Sequence, residues 1–212
     1  LLLKNALVIA TMDDEQREIA NGSVFIRGNR VEAVGPASEL PSTADKVIDM
    51  TGHVLIPGLI NTHHHMFQSL TRARPAAQDA ELFDWLTALF PVWQNITPAM
   101  LRAATRTALA ELMLSGCTTA ADHAYLYING TRLDDSVQAA QEMGMRFHAV
   151  RGAMSLGQSK GGLPPDALVE QDEDAILKEM QRVVEELHDA TTDAMIKVAL
   201  GPCSPFTLTT DL

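Results

Sequence analysis

Three consecutive histidines, His63, His64 and His65, are the residues whose type and spacing best suit chemistry. They follow the run 54–62, whose apolar and β-branched start is typical of a buried strand. Because side chains alternate between the two faces of a strand, we expect His63 and His65 on one side and His64 on the other. Two imidazoles side by side at a strand end form half of a transition-metal site. A polar loop is the alternative, but the position directly after a buried strand favours metal ligation.

Composition narrows the class of protein. The chain has 212 residues, of which 46% are apolar, and this suits one large domain or two small ones. Its 16 basic and 27 acidic residues give a net charge of −11, which disfavours nucleic-acid and anionic-membrane binding. No run approaches the ~18–20 apolar residues of a membrane helix. Cys117 and Cys203 form no C-x-x-C pair, so we expect a reducing, cytoplasmic location.

The chain divides into two patterns. Residues 1–56 contain short strand-like runs separated by turn signals, which predicts a small β module. From Pro57 onward, strand-like runs alternate with helical patterns, which predicts an α/β fold with a parallel sheet. The predicted strands of this part are 59–63, 117–122, 146–151 and 195–200. Four such units form either a complete open sheet or the first half of a (β/α)8 barrel, which needs eight strands.

Other polar residues lie where these strands end, and rim residues of a barrel can reach a ligand. His123 follows the second strand, and the alternative for it is a hydrogen bond to the backbone. Arg151 ends the third strand, and a structural ion pair is equally consistent with its position. Cys203 follows the fourth strand and is expected to line a pocket, not to act as a nucleophile. The segment 152–165 is rich in Gly and Pro, which is typical of a lid or of a plain surface loop.

The run Pro57-Gly58-Leu59-Ile60-Asn61-Thr62-His63-His64-His65, preceded by a small β module, resembles the amidohydrolase superfamily, within it the aminohydrolase and chlorohydrolase branch. The resemblance covers essentially the whole chain. It implies a distorted (β/α)8 TIM barrel with a small flanking β-sandwich. Residues 1–56 would be the N-terminal part of the sandwich, and 57–212 the first four βα units. His63 and His65 would bind one Zn²⁺, with Fe²⁺ as the alternative, and the remaining ligands and the catalytic proton-transfer residues are expected downstream of Leu212.

Two stretches narrow the substrate that the resemblance implies. Gln68 lies three residues past the second histidine ligand, where guanine deaminases place a base-reading glutamine, and an amide suits an oxopurine edge. The stretches 150–157 and 161–166 resemble deaminases of 8-oxoguanine. The implied activity is hydrolytic deamination of 8-oxoguanine to urate and ammonia by a homo-oligomer. The predicted substrate contacts are Gln68, Arg151, Cys203 and His123.

Several alternatives remain open at this point. One is an aminohydrolase of guanine or of a triazine such as hydroxydechloroatrazine. Another, from a different class, is a non-catalytic metal-binding scaffold that retains the H-x-H pair. A third is a ring hydrolase whose two metals are bridged by a modified lysine on the fourth strand. Lys197 lies on that strand, but early in it, so we expect Lys197 to be structural.

Overall fold

A computed structural model describes all 212 residues, which form two compact units, Leu1–Gly58 and Leu59–Leu212. The first unit is a five-stranded sheet in the order β3-β2-β1-β4, with β5 also pairing with β1. Strands β1 to β3 are antiparallel, whereas β4 and β5 run parallel to β1. The strands are β1 (Leu2–Ala10), β2 (Glu18–Arg27), β3 (Arg30–Pro36), β4 (Val47–Asp49) and β5 (Val54–Leu55).

Two features favour the sheet of the first unit, namely a tight turn between β2 and β3 and a set of apolar strand residues. Gly28, with φ +60°, and Asn29 connect β2 to β3 as a two-residue hairpin loop, a conformation that glycine adopts without steric cost. The apolar side chains of Ala6, Ile9 and Val24, from β1 and β2, form a small core.

The second unit is a parallel sheet in the order β6-β7-β8-β9, with helices in the connections. The α/β class is therefore confirmed, whereas the eight-stranded barrel and the flanking sandwich remain predictions. None of the four helices has the length and apolar character that a membrane-spanning segment requires. The elements are β6 (Leu59–Asn61), α1 (Leu82–Trp93), α2 (Pro98–Leu114), β7 (Cys117–Ala124), α3 (Leu133–Met143), β8 (Arg146–Arg151), α4 (Glu173–Leu187) and β9 (Ile196–Leu200).

Local signals set the helix ends. The Thr97 side chain accepts a hydrogen bond from the Met100 backbone N–H at 3.3 Å, and Pro98 opens α2 where no intrahelical donor is needed. Gly144, with φ +71°, ends α3 in the left-handed conformation. The Asp172 carboxylate caps α4 through the Ala175 N–H at 3.1 Å. These ends place the apolar helix faces against one side of the sheet, where the largest core cluster lies.

Three boundaries differ from the sequence-based expectation. Strand β6 ends at Asn61 and not at His63, because the Asn61 side chain accepts the His63 backbone N–H at 3.3 Å. Strand β7 continues to Ala124, because His123 and Ala124 pair with Val150 and Arg151 of β8. Strand β9 begins at Ile196 and not at residue 195. The histidine triplet therefore lies in the segment after β6, and His123 lies within a strand.

Candidate active site

A cavity of about 510 Å³ opens at the carboxyl edge of the parallel sheet. Of the six residues predicted for a site, five line this cavity, and Arg151 does not. The remaining wall is largely apolar and aromatic, with residues from α1 and from the segments after β8 and β9. The five are His63, His65, Gln68, His123 and Cys203.

The rings of His63 and His65 approach each other at this cavity. Their centroids are 5.0 Å apart and their planes are nearly perpendicular, at 86°. Two imidazoles that bind one ion tetrahedrally through nitrogen at about 2 Å have centroids roughly 5 Å apart. His64 lines a neighbouring hollow that also contains Arg72 and Glu111. Burial, followed by the Arg72 charge, lowers the pKa of His64.

The orientation of His65 is fixed by a backbone carbonyl. Its Nδ1 lies 2.7 Å from the His123 carbonyl oxygen, which can only accept a hydrogen bond. Nδ1 therefore carries the proton, and Nε2 keeps the lone pair that a metal requires. Burial is the largest cause that lowers the pKa of His65, which favours the neutral imidazole.

These features fit a metal centre in part. His63 and His65 offer two imidazoles at suitable spacing, one of them with its tautomer set by a second partner. No group of three or more His, Cys, Asp or Glu side chains in the chain comes together in a way that could hold a metal ion. The pair therefore corresponds to half of a four-coordinate set.

Gln68 contacts a residue that the sequence did not single out. Its Nε2 donates to the hydroxyl of Tyr125 at 3.1 Å, and both side chains line the cavity. Tyr125 is 6% exposed, and burial raises the pKa of its hydroxyl, which stays protonated. The available signal was an aromatic residue two positions after the polar pair Asp122-His123, at the carboxyl end of a parallel strand.

His123 and Cys203 line the cavity with their hydrogen-bonding groups partly engaged. His123 Nε2 lies 2.7 Å from the Gly201 carbonyl oxygen, so this nitrogen donates, and Nδ1 keeps its lone pair. This contact is the backbone hydrogen bond that was the alternative for His123. Burial raises the pKa of the Cys203 thiol, which disfavours the thiolate that a nucleophile would need.

Arg151 lies on the other face of the sheet. Phe147 and Ala149, which share its parity in β8, pack in the core against the helices, and Arg151 points the same way. It is 1% exposed, forms an ion pair with Glu170 at 2.8 Å, and places its guanidinium 3.6 Å from the Tyr127 ring centroid. Arg151 therefore forms the structural ion pair that the sequence analysis gave as the second interpretation. Its role as a substrate contact remains an untested prediction.

Asp122 lies beneath the histidine segment, fully buried. Its Oδ1 accepts the Met66 backbone N–H at 2.8 Å, while Oδ2 has no hydrogen-bond partner. Burial raises the pKa of Asp122 to about 7. The carboxyl group therefore tethers the backbone that follows His65, at an electrostatic cost when it is ionised.

Fold and site together define an α/β protein with an imidazole pair in a cavity at the carboxyl edge of a parallel sheet. The Amidohydrolase family model matches residues 54–212. The chain belongs to the amidohydrolase family.

Particular relatives refine this result. The chain is 43% identical to 8-oxoguanine deaminase of Pseudomonas aeruginosa over 99% of its length and 46% of the relative. It is 34% identical to isoxanthopterin deaminase from an unknown prokaryotic organism, with 95% of this chain and 43% of the relative covered. The structure is similar to the atrazine chlorohydrolase of Arthrobacter aurescens TC1 complexed with zinc, with a TM-score of 0.92 and 29% identity over 99% of this chain and 48% of that one. The chain spans about half the length of these relatives.

The buried Asp122 carboxyl makes stability depend on pH. An unfolded Asp ionises near pH 3.9, whereas Asp122 in the folded protein ionises near pH 7, so the folded state loses stability as pH rises between these values. Asp122→Asn removes this loss and keeps an acceptor for the Met66 N–H. We expect its free energy of unfolding, relative to the native protein, to be higher near pH 8 than near pH 5. Urea unfolding measures this difference. An equal effect at both pH values would contradict it, and exposed Asp45→Asn is the control.

The Arg151–Glu170 pair predicts an effect on stability. Arg151→Met leaves the Glu170 carboxylate without its cation. We expect a loss at the lower end of the roughly 3–5 kcal/mol typical of a broken buried pair, because Glu170 is partly exposed. Adding Glu170→Leu should recover part of that loss, whereas exposed Arg146→Met should change stability by less than about 0.5 kcal/mol. Thermal unfolding distinguishes these variants, and a neutral Arg151→Met would show that the pair contributes little.

Proposed function

We propose that the protein is a metal-dependent hydrolytic deaminase of an aminated oxopurine, with 8-oxoguanine as substrate and urate and ammonia as products. The observation that carries this proposal is the single cavity that places the His63–His65 pair beside Gln68, His123 and Cys203. The identity of 43% to 8-oxoguanine deaminase over 99% of the chain supports the same substrate.

His63 and His65 would hold one divalent ion, and zinc is supported by the zinc complex of the structurally similar atrazine chlorohydrolase. When bound, the ion supplies Lewis acidity that makes water nucleophilic at neutral pH. The relatives are about twice as long as this chain. We propose that the remaining metal ligands lie in a segment that corresponds to the part of the relatives outside the matched region. The proton-transfer residues would lie there too.

The polar groups of the cavity would orient the heterocycle. Gln68 offers an amide N–H and carbonyl to a ring edge that carries both an acceptor and a donor, as the lactam edge of an oxopurine does. The protonated Cys203 thiol is a weak donor that suits a ring carbonyl or nitrogen. Through its backbone carbonyl, His123 would hold His65 in place during the reaction.

The apolar wall suits a flat ring. Its residues exclude water and contact the faces of a planar heterocycle, while the polar groups read the edge. The net charge of −11 is compatible with a neutral substrate. Water would add at the ring carbon that bears the exocyclic amine, and the carbon–nitrogen bond would break to release ammonia. The wall contains Leu82, Phe83, Trp85, Leu86, Phe90 and Phe206.

A second candidate is a triazine hydrolase, which the TM-score of 0.92 to the atrazine chlorohydrolase favours. The same histidine pair and apolar wall would serve it. The two candidates differ in the ring edge that Gln68 would face, since a chlorotriazine such as atrazine has no ring carbonyl and no lactam. Turnover therefore discriminates between them.

The activity is tested on the intact, metal-loaded protein. We expect release of ammonia and formation of urate from 8-oxoguanine, with slower turnover of guanine and of an N-alkylated triazine. His65→Ala is the inactive control, because it removes one of the two imidazoles. Clear turnover of guanine or of the triazine without turnover of 8-oxoguanine would refute the substrate but not the class. Absence of turnover on all three would refute the deaminase proposal and favour a non-catalytic scaffold.

Metal content tests the assigned ligands independently of activity. His63→Ala and His65→Ala should each lose the bound ion, because a pair reduced to one imidazole keeps only half of its donors. His64→Ala is the matched control and should retain the ion, since His64 does not line the cavity at which His63 and His65 meet. Elemental analysis of the purified intact variants gives the metal-to-protein ratio. Loss of metal in His64→Ala with retention in His63→Ala would reverse the assignment.

A further inference from the structure

We infer that Tyr125 is a specificity-determining positioning residue that acts through Gln68, presenting the Gln68 amide to the lactam edge of the substrate. The identity of the ligand in this inference rests on the proposed function, whereas the contact between Tyr125 and Gln68 is observed in the structure. The starting observation is the hydrogen bond from Gln68 Nε2 to the Tyr125 hydroxyl at 3.1 Å, within the cavity that contains the histidine pair.

The Tyr125 ring is held in place from three directions. Its centroid lies 5.3 Å from that of Phe67, 5.3 Å from that of His65 and 5.4 Å from that of His123. The contacts with Phe67 and His65 are edge-to-face, an arrangement that aromatic pairs favour. The hydroxyl is therefore a fixed point beside the cavity.

Gln68 has no comparable support of its own. Its backbone is anchored in the short 3-10 helix Met66–Thr71, where its N–H donates to the His65 carbonyl at 2.9 Å. The side chain is only half-buried, and a free glutamine loses much rotamer freedom when a ligand orders it. Because one N–H is already given to Tyr125, the second N–H and Oε1 are left for the ligand.

The remaining N–H and carbonyl of the Gln68 amide favour a ring edge with a particular pattern of hydrogen-bond donors and acceptors. A ring edge with a carbonyl beside an N–H can satisfy both remaining groups of the amide. A ring that lacks the carbonyl leaves an amide N–H unpaired in a partly buried site, and a site built to hydrogen-bond rejects such an analogue strongly. Tyr125 would thus strengthen discrimination for the lactam by holding the amide ready before binding.

The chain offers a matched control. Tyr127 is partly buried, and its hydroxyl donates to the Ala124 carbonyl at 3.1 Å, but it does not line the cavity. Tyr125→Phe and Tyr127→Phe each remove one bonded hydroxyl and keep the ring. A general effect of removing a buried hydroxyl would appear in both variants.

The experiment compares two ligands on the intact, metal-loaded protein. The first is 8-oxoguanine, and the second is 2-aminopurine, which keeps the purine ring and the 2-amino group but lacks both ring carbonyls and the lactam N–H. We expect Tyr125→Phe to lower kcat/KM for 8-oxoguanine about tenfold or more and to leave 2-aminopurine affinity within about twofold. Tyr127→Phe should change neither by more than about twofold. In a Gln68→Ala background, Tyr125→Phe should have no further effect, and additive effects would overturn the inference.

A second measurement separates this inference from the proposed function. In protein with ¹⁵N-labelled glutamine, the Gln68 side-chain amide signals are assigned by their absence in Gln68→Ala. We expect them to move to the values of a free amide in Tyr125→Phe and to stay in place in Tyr127→Phe. Unchanged signals in Tyr125→Phe would overturn the positioning role. Signals that depend on Tyr125 in a protein that binds neither ligand would uphold the positioning, and would refute the substrate preference together with the proposed function.

Discussion

The site depends on a reciprocal pair of backbone contacts between the histidine segment and β7. The His123 N–H donates to the His64 carbonyl at 2.8 Å, and the His123 carbonyl accepts from His65 Nδ1 at 2.7 Å. The first contact continues the parallel pairing past the end of β6, and the second orients an imidazole. One residue of β7 thereby fixes both the path of the segment and the tautomer of His65. A side chain on a free loop would not be held with this precision.

Strand alternation decides which polar residues can share that site. In β7, Ala120 and Ala124 pack in the core against the helices, so His123, of opposite parity, faces the cavity. In β8, the same alternation points Arg151 toward the helices, where its guanidinium forms an ion pair with Glu170 and lies over the Tyr127 ring. Position at the carboxyl end of a strand is thus insufficient for a role in the site, and parity must agree as well.

Some features of the fold and of the site can be predicted from the sequence, and others depend on contacts between distant residues. The helix ends are marked in the sequence itself, by Thr97 and Pro98 for α2, Gly144 for α3 and Asp172 for α4, because capping signals act locally. The sequence shows that Arg151 shares its strand face with Phe147 and Ala149, but the structure is needed to show that this face packs against the helices. The end of β6 at Asn61 could not be predicted from the sequence, because it depends on the hydrogen bond that the His63 N–H donates to the Asn61 side chain. The contact between Gln68 and Tyr125 joins positions 57 apart in sequence and requires the register of the sheet.

Four buried side-chain polar atoms have no hydrogen-bond partner in the protein. They are His64 Nδ1, Asp122 Oδ2, Arg151 Nε and Glu170 Oε2. Each belongs to a residue that also makes a contact holding the histidine segment or the loop after β8. Buried polar groups without a partner are costly, and native proteins contain few of them. Asp122 shows the balance: its carboxyl secures the backbone directly after His65 through the Met66 N–H, while its second oxygen stays unpaired. The fold therefore gives up stability where it must hold a histidine in one orientation.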